Sequence, residues 1–538
     1  MNLFHNKYLH FLLGATCLIV LINLIFTWGR LISDDPMTYK LMIITINIGF
    51  SFILISLFSI YRFFFIPFYI IFLFFGALLG YFNFIFGIKL NVYLLECTFN
   101  TNFEEASTFF DFNLVLWLVF LWLIPSILLI KYRNLLKIKL KKKFKITFYS
   151  IVGGLLILYI PMVFINKINP IVFQQHLLAT DLYPSNLFAN LKIYNKHKFF
   201  KKNKDKVDIL SNYNFTFDDK DIKIVLILGE SARNDKFALN GYKRNTTPNL
   251  SKVSGLVSFK NSYSLATYTI AGLKNIFRIN PNKNETNLIS IFNTLKFKTY
   301  WISAQSFVDD INLIASEAQN MLTKEIVIHK TKIPLRDENL LIPLQEELKK
   351  PDNSLIILHT LGSHRTYDDR YTENFNKYKP TCSNINEKSL FKKLFKRNSC
   401  YTKKEAGNSY DNSILYTDYF LSEVIKELQG HKAMMIYISD HGESLGENGI
   451  YSHSHEYTTA PKEQLHIPYM LWFSDKMLKE PGIQENINKA EKNQNIKIDQ
   501  STVIHSILDC INVKSEFIDK RKSICSSELG KGIVFAQR

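Results

Sequence analysis

Residues 222–231 have the sequence IKIVLILGES, in which a short apolar and β-branched run ends at a Gly-Glu-Ser turn. Similar runs cover residues 354–359 (SLIILH) and 433–439 (AMMIYIS), and a weaker one covers residues 298–303 (KTYWIS). Runs of this length, bounded by turn residues, are typical of the buried strands of a parallel sheet. Helical patterns separate and follow them, at residues 290–295, 343–348, 412–428 and 501–508. The second half of the chain is therefore predicted to fold as an α/β domain.

Polar side chains follow three of these predicted strands. Glu230 follows the first strand directly, and His364 comes shortly after the second. The pair Asp440-His441 follows the third strand directly. In open α/β sheets, ligands bind at the edge formed by the carboxyl ends of the strands. We therefore expect these side chains to meet at one site.

The residue types at that edge predict a zinc site. Zinc accepts carboxylate oxygen and imidazole nitrogen, so Glu230, Asp440 and His441 can supply three ligands. A catalytic zinc site keeps one more position for a reacting group. Thr267 and Thr269 are candidates, because in an extended segment both side chains would point to one side. A hydroxyl at zinc loses its proton more easily and becomes a nucleophile at neutral pH. A Thr-x-Thr pair taken alone is more typical of a surface strand, so this candidate depends on the other ligands.

Further histidines follow the Asp-His pair in the segment Tyr451-Ser452-His453-Ser454-His455. His453 or His455 can bind a second metal ion or a phosphoryl oxygen, and His364 can do the same from another loop. Oxygens that gain negative charge during phosphoryl transfer need such donors. Each histidine taken singly also fits a structural role.

Five apolar stretches crowd the first third of the chain, and almost no charge interrupts them. They cover residues 8–28, 41–61, 63–85, 114–130 and 146–165. A helix that crosses a bilayer needs about 20 apolar residues, so residues 1–166 are predicted to form a transmembrane domain of five helices. Five buried core helices in succession are a poor alternative. A cleavable signal peptide also fits badly, since the first stretch lacks a small-residue cleavage site and more spans follow.

The loop at residues 131–145 predicts the orientation of these spans, because it holds eight Lys or Arg residues in 15. Short, strongly basic loops stay in the cytoplasm. With five spans, the N-terminus then lies inside and everything after residue 166 lies outside. Residues 167–210 are predicted to be a linker with amphipathic and Lys-rich pieces, either solvated or in contact with anionic headgroups. Residues 211–538 are predicted to form the outer catalytic domain.

Composition excludes several other classes of protein. The 538 residues are 47% hydrophobic and 14% aromatic, which excludes a disordered chain. The net charge of +18 suggests nucleic acid or an anionic membrane surface as a partner. Because part of that charge lies in the cytoplasmic loop, a role in nucleic-acid binding loses its main support. Six cysteines are too few for a disulfide scaffold.

The chain resembles the phosphoethanolamine transferases, which are inner-membrane enzymes of the alkaline phosphatase/sulfatase superfamily that modify lipid A and related acceptors. The resemblance covers essentially the whole chain, including the five spans. The motifs that carry it are GESAR (229–233), TYT (267–269), SH (363–364), YDNSILYTD (410–418), DHGES (440–444) and APKEQ (460–464). It implies a five-helix transmembrane domain followed by a sulfatase-like α/β domain in the bacterial periplasm.

The resemblance also implies a role for each matching residue. The implied zinc ligands are Glu230, Thr269, Asp440 and His441. Thr269 is in addition the implied nucleophile. His364 and His453 match residues that hold the phosphoryl group or a second zinc ion. Asn102 and Glu105, in the outer loop before the fourth span, resemble a segment near the lipid headgroup. There Glu105 would meet the ethanolamine ammonium, although a solvated loop carboxylate is the alternative.

The sequence departs from the family at the nucleophile loop, where the cysteines that often flank the Thr-x-Thr are missing. Arg365-Thr366 also replaces the Gly-Pro that follows the Ser-His. These changes leave the chemistry intact but bear on the preference for an acceptor. Cys382 and Cys400 resemble the remaining disulfide of the family, which an oxidising compartment permits. Cys510 and Cys525 are a candidate second pair.

The activity that the resemblance implies is a two-step transfer from phosphatidylethanolamine through a covalent Thr269-phosphoethanolamine intermediate, with release of diacylglycerol. The acceptor can be lipid A, a core sugar or a protein hydroxyl, and the enzyme is expected to be a monomer. The added ammonium would weaken the binding of cationic antimicrobial peptides to the cell surface.

Other functions fit parts of the same pattern. A glycerol-phosphate transferase of the same superfamily would keep the ligand set and the five spans, with a phosphatidylglycerol-type donor. A sulfatase fits less well, because no cysteine begins a Cys-x-Pro-x-Arg motif. A non-catalytic membrane receptor is the third alternative, and the intact ligand set argues against it.

Overall fold

The computed structural model describes residues 7–26, 37–87, 90–101, 106, 109–110, 112–164, 183, 185–202, 208, 210–280, 287–306, 309–331, 335–382, 402–533 and 535. The chain divides into two compact units, one mainly helical and one α/β. The predicted fold class is therefore confirmed, while the domain boundaries at residues 166 and 210 stay predictions.

Five helices of the first unit are long and apolar enough to cross a membrane. They are α1 (Lys7–Phe26), α2 (Met37–Phe58), α3 (Arg62–Phe86), the segment Phe112–Lys131 and α7 (Leu140–Phe164). Two shorter or more polar helices are α4 (Val92–Asn100) and α8 (Ser185–Lys202). In the fourth span, a π-helical turn at Val119–Leu123 joins α5 (Phe112–Leu118) to α6 (Ile124–Lys131).

Glycines allow α2 and α7 to pack closely. A Cβ atom on Gly49 would lie 3.0 Å from the carbonyl oxygen of Gly154, and one on Gly154 would lie 2.4 Å from the side chain of Ile53. Small residues that let two backbones approach are typical of helix association in membranes. Tyr183, from the predicted linker, is fully buried, and its N–H donates to Asn23 Oδ1 at 2.7 Å.

The α/β unit is built on a seven-stranded sheet with the strand order β2-β10-β7-β1-β6-β4-β5. These strands are β1 (Ile222–Gly229), β2 (Val257–Phe259), β4 (Lys298–Ser303), β5 (Asn320–Leu322), β6 (Ser354–His359), β7 (Lys432–Ser439) and β10 (Tyr469–Phe473). Two small two-stranded sheets pair β3 (Ser262–Tyr263) with β11 (Ile498–Asp499) and β8 (Ser444–Glu447) with β9 (Ile450–Ser452).

The four predicted strands form the centre of the sheet, and all of them run parallel. β1 is buried at every residue and pairs with β6 on one side and β7 on the other. β4 continues the sheet beyond β6. Because these strands are parallel, their carboxyl ends lie at one edge, as the sequence predicts. The antiparallel strand β10, which is fully buried, was not predicted.

Helices flank this sheet in the α/β unit. They are α9 (Thr269–Phe277), α10 (Leu288–Thr294), α11 (Asp309–Ala315), α12 (Lys324–Thr331), α13 (Leu341–Leu348), α14 (Lys403–Leu428), α15 (Asp475–Leu478), α16 (Ile483–Asn493) and α17 (Val503–Cys510). The longest, α14, begins at a capping box in which the side chains of Thr402 and Glu405 satisfy each other's backbone N–H. The four helical patterns in the sequence thus fall within or overlap α10, α13, α14 and α17.

Candidate active site

The register of the central strands brings the predicted metal ligands together. Gly229, the last residue of β1, pairs with Ser439, the last residue of β7. Glu230 and Asp440 therefore leave the sheet side by side, and Asp440 N–H donates to the Gly229 carbonyl oxygen at 3.0 Å. One ligand atom from each of Glu230, Asp440 and His441 lies within 4.8 Å of the others, and all three side chains are buried.

A backbone contact sets the orientation of the His441 ring. Nδ1 of His441 lies 2.8 Å from the Gly442 carbonyl oxygen, which can only accept, so Nδ1 carries the proton. The other nitrogen, Nε2, then presents a lone pair. It faces Asp440 Oδ2 at 3.3 Å and Glu230 Oε1 at 3.5 Å. A lone pair directed at two carboxylate oxygens is unfavourable unless a cation lies between them.

The carboxylates themselves also fit a divalent cation. Asp440 Oδ1 accepts from the N–H groups of Ser231 and His441, but buried Oδ2 has no hydrogen-bond partner among the described residues. Burial and the charge of Glu230 raise the pKa of Asp440 well above its usual range. Burial raises the pKa of Glu230 as well, and the hydrogen bond from the Ser231 hydroxyl lowers it. The chain thus supplies two acidic groups and one imidazole lone pair to a buried position, which is the donor set that zinc accepts.

Thr269 is brought to the same position by α9. Its Oγ1 lies 3.2 Å from Glu230 Oε2 and 3.4 Å from His441 Nε2. Tyr268 is extended and Thr269 is the first residue of the helix, so the predicted extended segment ends one residue before Thr269. The helix packs tightly on the ligand loop, since a Cβ atom on Gly272 would lie 2.4 Å from the Asp440 carbonyl oxygen.

Among the described residues, Thr267, the other threonine of the pair, forms no hydrogen bond with the three predicted metal ligands. Its Oγ1 donates to the His455 carbonyl oxygen at 2.6 Å, and its own carbonyl oxygen accepts from Ser454 N–H at 2.7 Å. These two hydrogen bonds connect the segment before Thr269 to the loop that carries His453. The two threonines therefore have different partners.

His453 lies beside the ligand cluster, with its ring centre 4.3 Å from that of His441 and 5.7 Å from that of His364. Its Nδ1 contacts Glu443 Oε2 at 2.7 Å, and Glu443 Oε1 accepts from the Tyr367 hydroxyl at 2.8 Å. Burial lowers the pKa of His453 to about 3 and raises that of Glu443 to about 7. Glu443 and Tyr367 thus orient the His453 ring towards the site.

His455 lies outside this cluster. Its Nδ1 is 2.9 Å from Nε2 of the buried Gln464, which also donates to Ser444 and to the Ser452 carbonyl oxygen. His455 therefore holds the loop in place, which is the structural role left open for it by the sequence.

Sequence reasoning missed Gln305, which lies two residues beyond β4. Its Nε2 donates to Glu230 Oε2 at 3.2 Å and to the Thr360 carbonyl oxygen at 2.7 Å. The rule that identified Glu230, a polar residue just past the end of a central strand, would have selected Gln305 too.

Arg233 was quoted only as part of a motif, yet its Nη1 donates to the Glu443 carbonyl oxygen at 3.1 Å and so supports the residue that orients His453.

Other predicted residues cannot be placed. Asn102, Glu105 and Cys400 lie outside the described residues. Cys382, the predicted partner of Cys400, is disulfide-bonded. The candidate pair Cys510 and Cys525 is confirmed, since these two residues form a disulfide.

Known proteins match both units of the chain. A family model described as phosphoethanolamine transferase EptA/EptB matches residues 48–199, and one described as sulfatase matches residues 223–513. A phosphoethanolamine transferase EptA of Helicobacter pylori is 30% identical over 454 residues, which cover 82% of this chain and 80% of that protein. A Kdo(2)-lipid A phosphoethanolamine 7''-transferase of Escherichia coli is 32% identical over 318 residues, 55% of this chain and 52% of that protein.

A solved structure shares the fold over nearly the whole length. The integral membrane lipooligosaccharide phosphoethanolamine transferase A (EptA) of Neisseria meningitidis superposes with a TM-score of 0.79. The match covers 94% of this chain and 98% of that one, at 23% sequence identity. The order of a helical membrane unit followed by a sulfatase-like unit is therefore common to both.

Proposed function

The chain belongs to the phosphoethanolamine transferase family of the alkaline phosphatase superfamily, and we propose that it transfers phosphoethanolamine from phosphatidylethanolamine to lipid A or another acceptor of the cell envelope. The observation that carries this proposal is the position of Thr269 Oγ1, within hydrogen-bond reach of two groups of a buried cation site. A nucleophile beside a base and a cation site is what phosphoryl transfer requires. The names of the relatives supply the transferred group and, for one of them, lipid A as the acceptor, and the donor is the one that the family resemblance implies.

Zinc is the proposed cofactor, held by Glu230, Asp440 and His441. When bound there, zinc supplies positive charge that stabilises the oxygens around phosphorus as they become more negative. The support for zinc is the mixed set of carboxylate oxygens and an imidazole Nε2 lone pair. Gln305 and Ser231 donate to the two oxygens of Glu230, so this carboxylate is fixed before any ligand binds.

In the first proposed step, Thr269 Oγ attacks the phosphorus of phosphatidylethanolamine. The P–O bond to diacylglycerol breaks, and diacylglycerol leaves as an alcohol after taking up a proton. The Thr269 hydroxyl donates to Glu230 Oε2, which holds Oγ beside the cation site, where a bound cation would favour loss of the hydroxyl proton. Thr269 is also the first residue of α9, where the unpaired N–H groups and the helix dipole favour a negatively charged phosphoryl group.

In the second step, an oxygen of the acceptor attacks phosphorus and the bond to Thr269 Oγ breaks. This step regenerates the threonine and leaves phosphoethanolamine on the acceptor. His364 and His453 are proposed to contact the phosphoryl oxygens, because the His453 ring lies beside His441 and the His364 ring lies beside that of His453.

The proposed location is the bacterial inner membrane, with the catalytic unit in the periplasm. Both the donor and a lipid A-type acceptor reside in the bilayer. Five membrane helices on the same chain would therefore raise the effective concentration of both substrates at the site. This argument favours a lipid acceptor over a soluble one.

The nucleophile assignment is tested with Thr269→Ala and, as a matched control, Thr269→Ser in the purified full-length protein. We expect the alanine variant to lose transfer from phosphatidylethanolamine to lipid A, while its zinc content stays close to that of the wild type. The serine variant keeps the hydroxyl and should keep part of the activity. Mass spectrometry of the wild type without acceptor should show one added phosphoethanolamine, which the alanine variant lacks.

Two outcomes would contradict the proposal. Transfer by Thr269→Ala would exclude Thr269 as the nucleophile. Transfer from a phosphatidylglycerol donor in place of phosphatidylethanolamine would instead identify a glycerol-phosphate transferase.

A further inference from the structure

The loop that carries His364 is held from two sides by charged side chains that no step of the proposed reaction uses. This loop, residues 361–366, follows β6 and is called here the His364 loop. Its position relative to the ligand cluster is set in part by Ser363, whose N–H donates to the Glu230 carbonyl oxygen at 2.9 Å.

The N–H groups at the start of the His364 loop are bound by a single carboxylate. Asp337, which is only 2% exposed, accepts from Leu361 N–H at 2.6 Å and from Gly362 N–H at 3.1 Å. Gly362 has a φ of +52°, and a Cβ atom there would lie 2.7 Å from the Glu230 carbonyl oxygen. The start of the loop is thus pressed against the residue that carries the metal ligand.

The carbonyl groups at the end of the same loop are bound by a single guanidinium. Arg370 Nε donates to the His364 carbonyl oxygen at 3.3 Å, and Nη2 donates to the Arg365 carbonyl oxygen at 2.9 Å. The same Nη2 also donates to Thr366 Oγ1 at 3.0 Å. Three acceptors spread over three residues match the planar fork of arginine, which the point charge of a lysine does not reproduce.

The backbone of the loop needs such support. Thr366 has φ +66° and ψ +50°, in the left-handed region that β-branched residues rarely adopt. Strained residues of this kind persist only where surrounding contacts fix them, and they concentrate at functional sites. Here the contacts come from Arg370, and Thr366 lies two residues beyond His364, which is proposed to contact the phosphoryl group.

We propose that Arg370 is a positioning residue that holds the His364 ring at the phosphoryl site through the His364 loop, with Asp337 as its counterpart at the other end. This inference rests on the proposed transferase function. Arg370 donates to the backbone of His364 and of Arg365 and to the side chain of Thr366, so it fixes the loop on which the His364 ring is carried.

A double-mutant cycle in the full-length protein tests the proposal. We expect Arg370→Gln to lower kcat/KM about tenfold or more, with Arg370→Lys intermediate and with unchanged zinc content. In a His364→Ala background, Arg370→Gln should have no further effect, because the ring that it positions is missing. Arg521→Gln, which removes a half-exposed arginine that bonds only locally to Asp519, is the matched control and should leave kcat/KM unchanged.

The proposal is overturned if Arg370→Gln multiplies the loss caused by His364→Ala, or if it leaves kcat/KM at the wild-type value. Hydrogen exchange of the Ser363 amide gives a second measurement that does not depend on activity. It should be faster in Arg370→Gln than in Arg521→Gln, while the amides of β1 are unchanged. If the wild type transfers no phosphoethanolamine, the proposed function fails, and equal exchange rates in the two variants would separately overturn the positioning role.

Discussion

At the scale of single residues, hydrogen bonds to the backbone decide which atoms of His441 and Asp440 face the site as acceptors. The Gly442 carbonyl oxygen takes the Nδ1 proton of His441, so Nε2 can only accept. Ser231 and His441 N–H groups occupy Oδ1 of Asp440, so Oδ2 is left to face Nε2. These local bonds orient acceptors towards one another, and that arrangement is favourable only around a cation.

This arrangement predicts the effect of removing the metal from the wild type and from Asp440→Asn. In the variant, the amide oxygen must stay at the Oδ1 position, so the NH₂ group takes the Oδ2 position and can donate to His441 Nε2. At a pH high enough to ionise Asp440, the metal-free variant should therefore be more stable than the metal-free wild type, by about 1–3 kcal/mol for one repaired buried contact. At lower pH the protonated Asp440 carboxyl, whose pKa is raised by burial, can donate the same bond, and the difference should disappear. With zinc, the order should reverse, because the variant has lost an anionic ligand.

Thermal unfolding in detergent, with and without a chelator, measures both differences. Asp499→Asn serves as a control, since Asp499 is buried but caps a turn at Ser501 rather than facing the ligands. If the chelator lowers the Tm of Asp440→Asn as much as that of the wild type, Asp440 does not hold the metal.

At the scale of elements, the sequence predicted the part of the fold that follows from local pattern. β4 and β6 have the predicted bounds, and β1 and β7 differ from the prediction by one residue each. The ligand residues were predictable for the same reason, since they directly follow those strands. β10 was missed although its five residues, YMLWF, are all buried. β10 is short, and no polar residue of functional interest follows it to draw attention to it. Its partner β7 comes about 30 positions earlier in the chain, so no local pattern indicates the pairing.

Contacts that depend on distant backbone could not be predicted in this way. Arg370 is bonded to carbonyl oxygens, which every residue has, so no residue type marks its partners. Thr267 likewise donates to a backbone carbonyl oxygen, that of His455, which lies 188 positions later in the chain. The proposed metal ligands and Thr269 could thus be predicted from the sequence, whereas the side chains that position them became apparent only in the structure.

The close packing of α9 on the ligand loop leads to a prediction about this helix. A Cβ atom at Gly272 would lie 2.4 Å from the Asp440 carbonyl oxygen, where ordinary contact begins at 3.4 Å. Gly272→Ala should therefore displace Thr269 from the metal ligands by up to about 1 Å, and misplacement of that size costs about 100-fold in rate. We expect kcat for phosphoethanolamine transfer to fall by about that factor.

Gly407→Ala is the matched control for this helix, because Gly407 lies in α14 and a Cβ atom there would meet nothing within 4 Å. This control should keep full activity and gain about 0.5–1 kcal/mol of stability from the higher helix propensity of alanine. Equal activity of the two variants would show that α9 can adjust without moving the nucleophile.

At the scale of the whole molecule, charge and hydrophobicity are divided between the two units. The membrane unit contains five apolar helices. Residues 131–145, which cover the connection between the last two helices and the first turns of α7, carry eight of the chain's 65 Lys and Arg residues. The α/β unit has its buried carboxylates and histidines concentrated at one edge of the sheet. One charge pattern is thus predicted to set the orientation of the chain in the membrane, and another lies at the proposed active site.

The orientation predicted from that loop can be tested with a fluorescent protein that folds only in the cytoplasm, fused to the chain at different positions. A fusion after residue 138, within the basic loop, should be fluorescent, because strongly basic short loops are retained inside. Fusions after residue 100, in the predicted outer loop, and after residue 538 should be dark but present on immunoblots.

Replacing Lys137, Lys139, Lys141 and Lys142 by Gln should weaken this pattern of fluorescence, since it removes half of the eight charges. A fluorescent fusion at residue 538 would place the metal site in the cytoplasm, where it could not reach an acceptor on the outer leaflet.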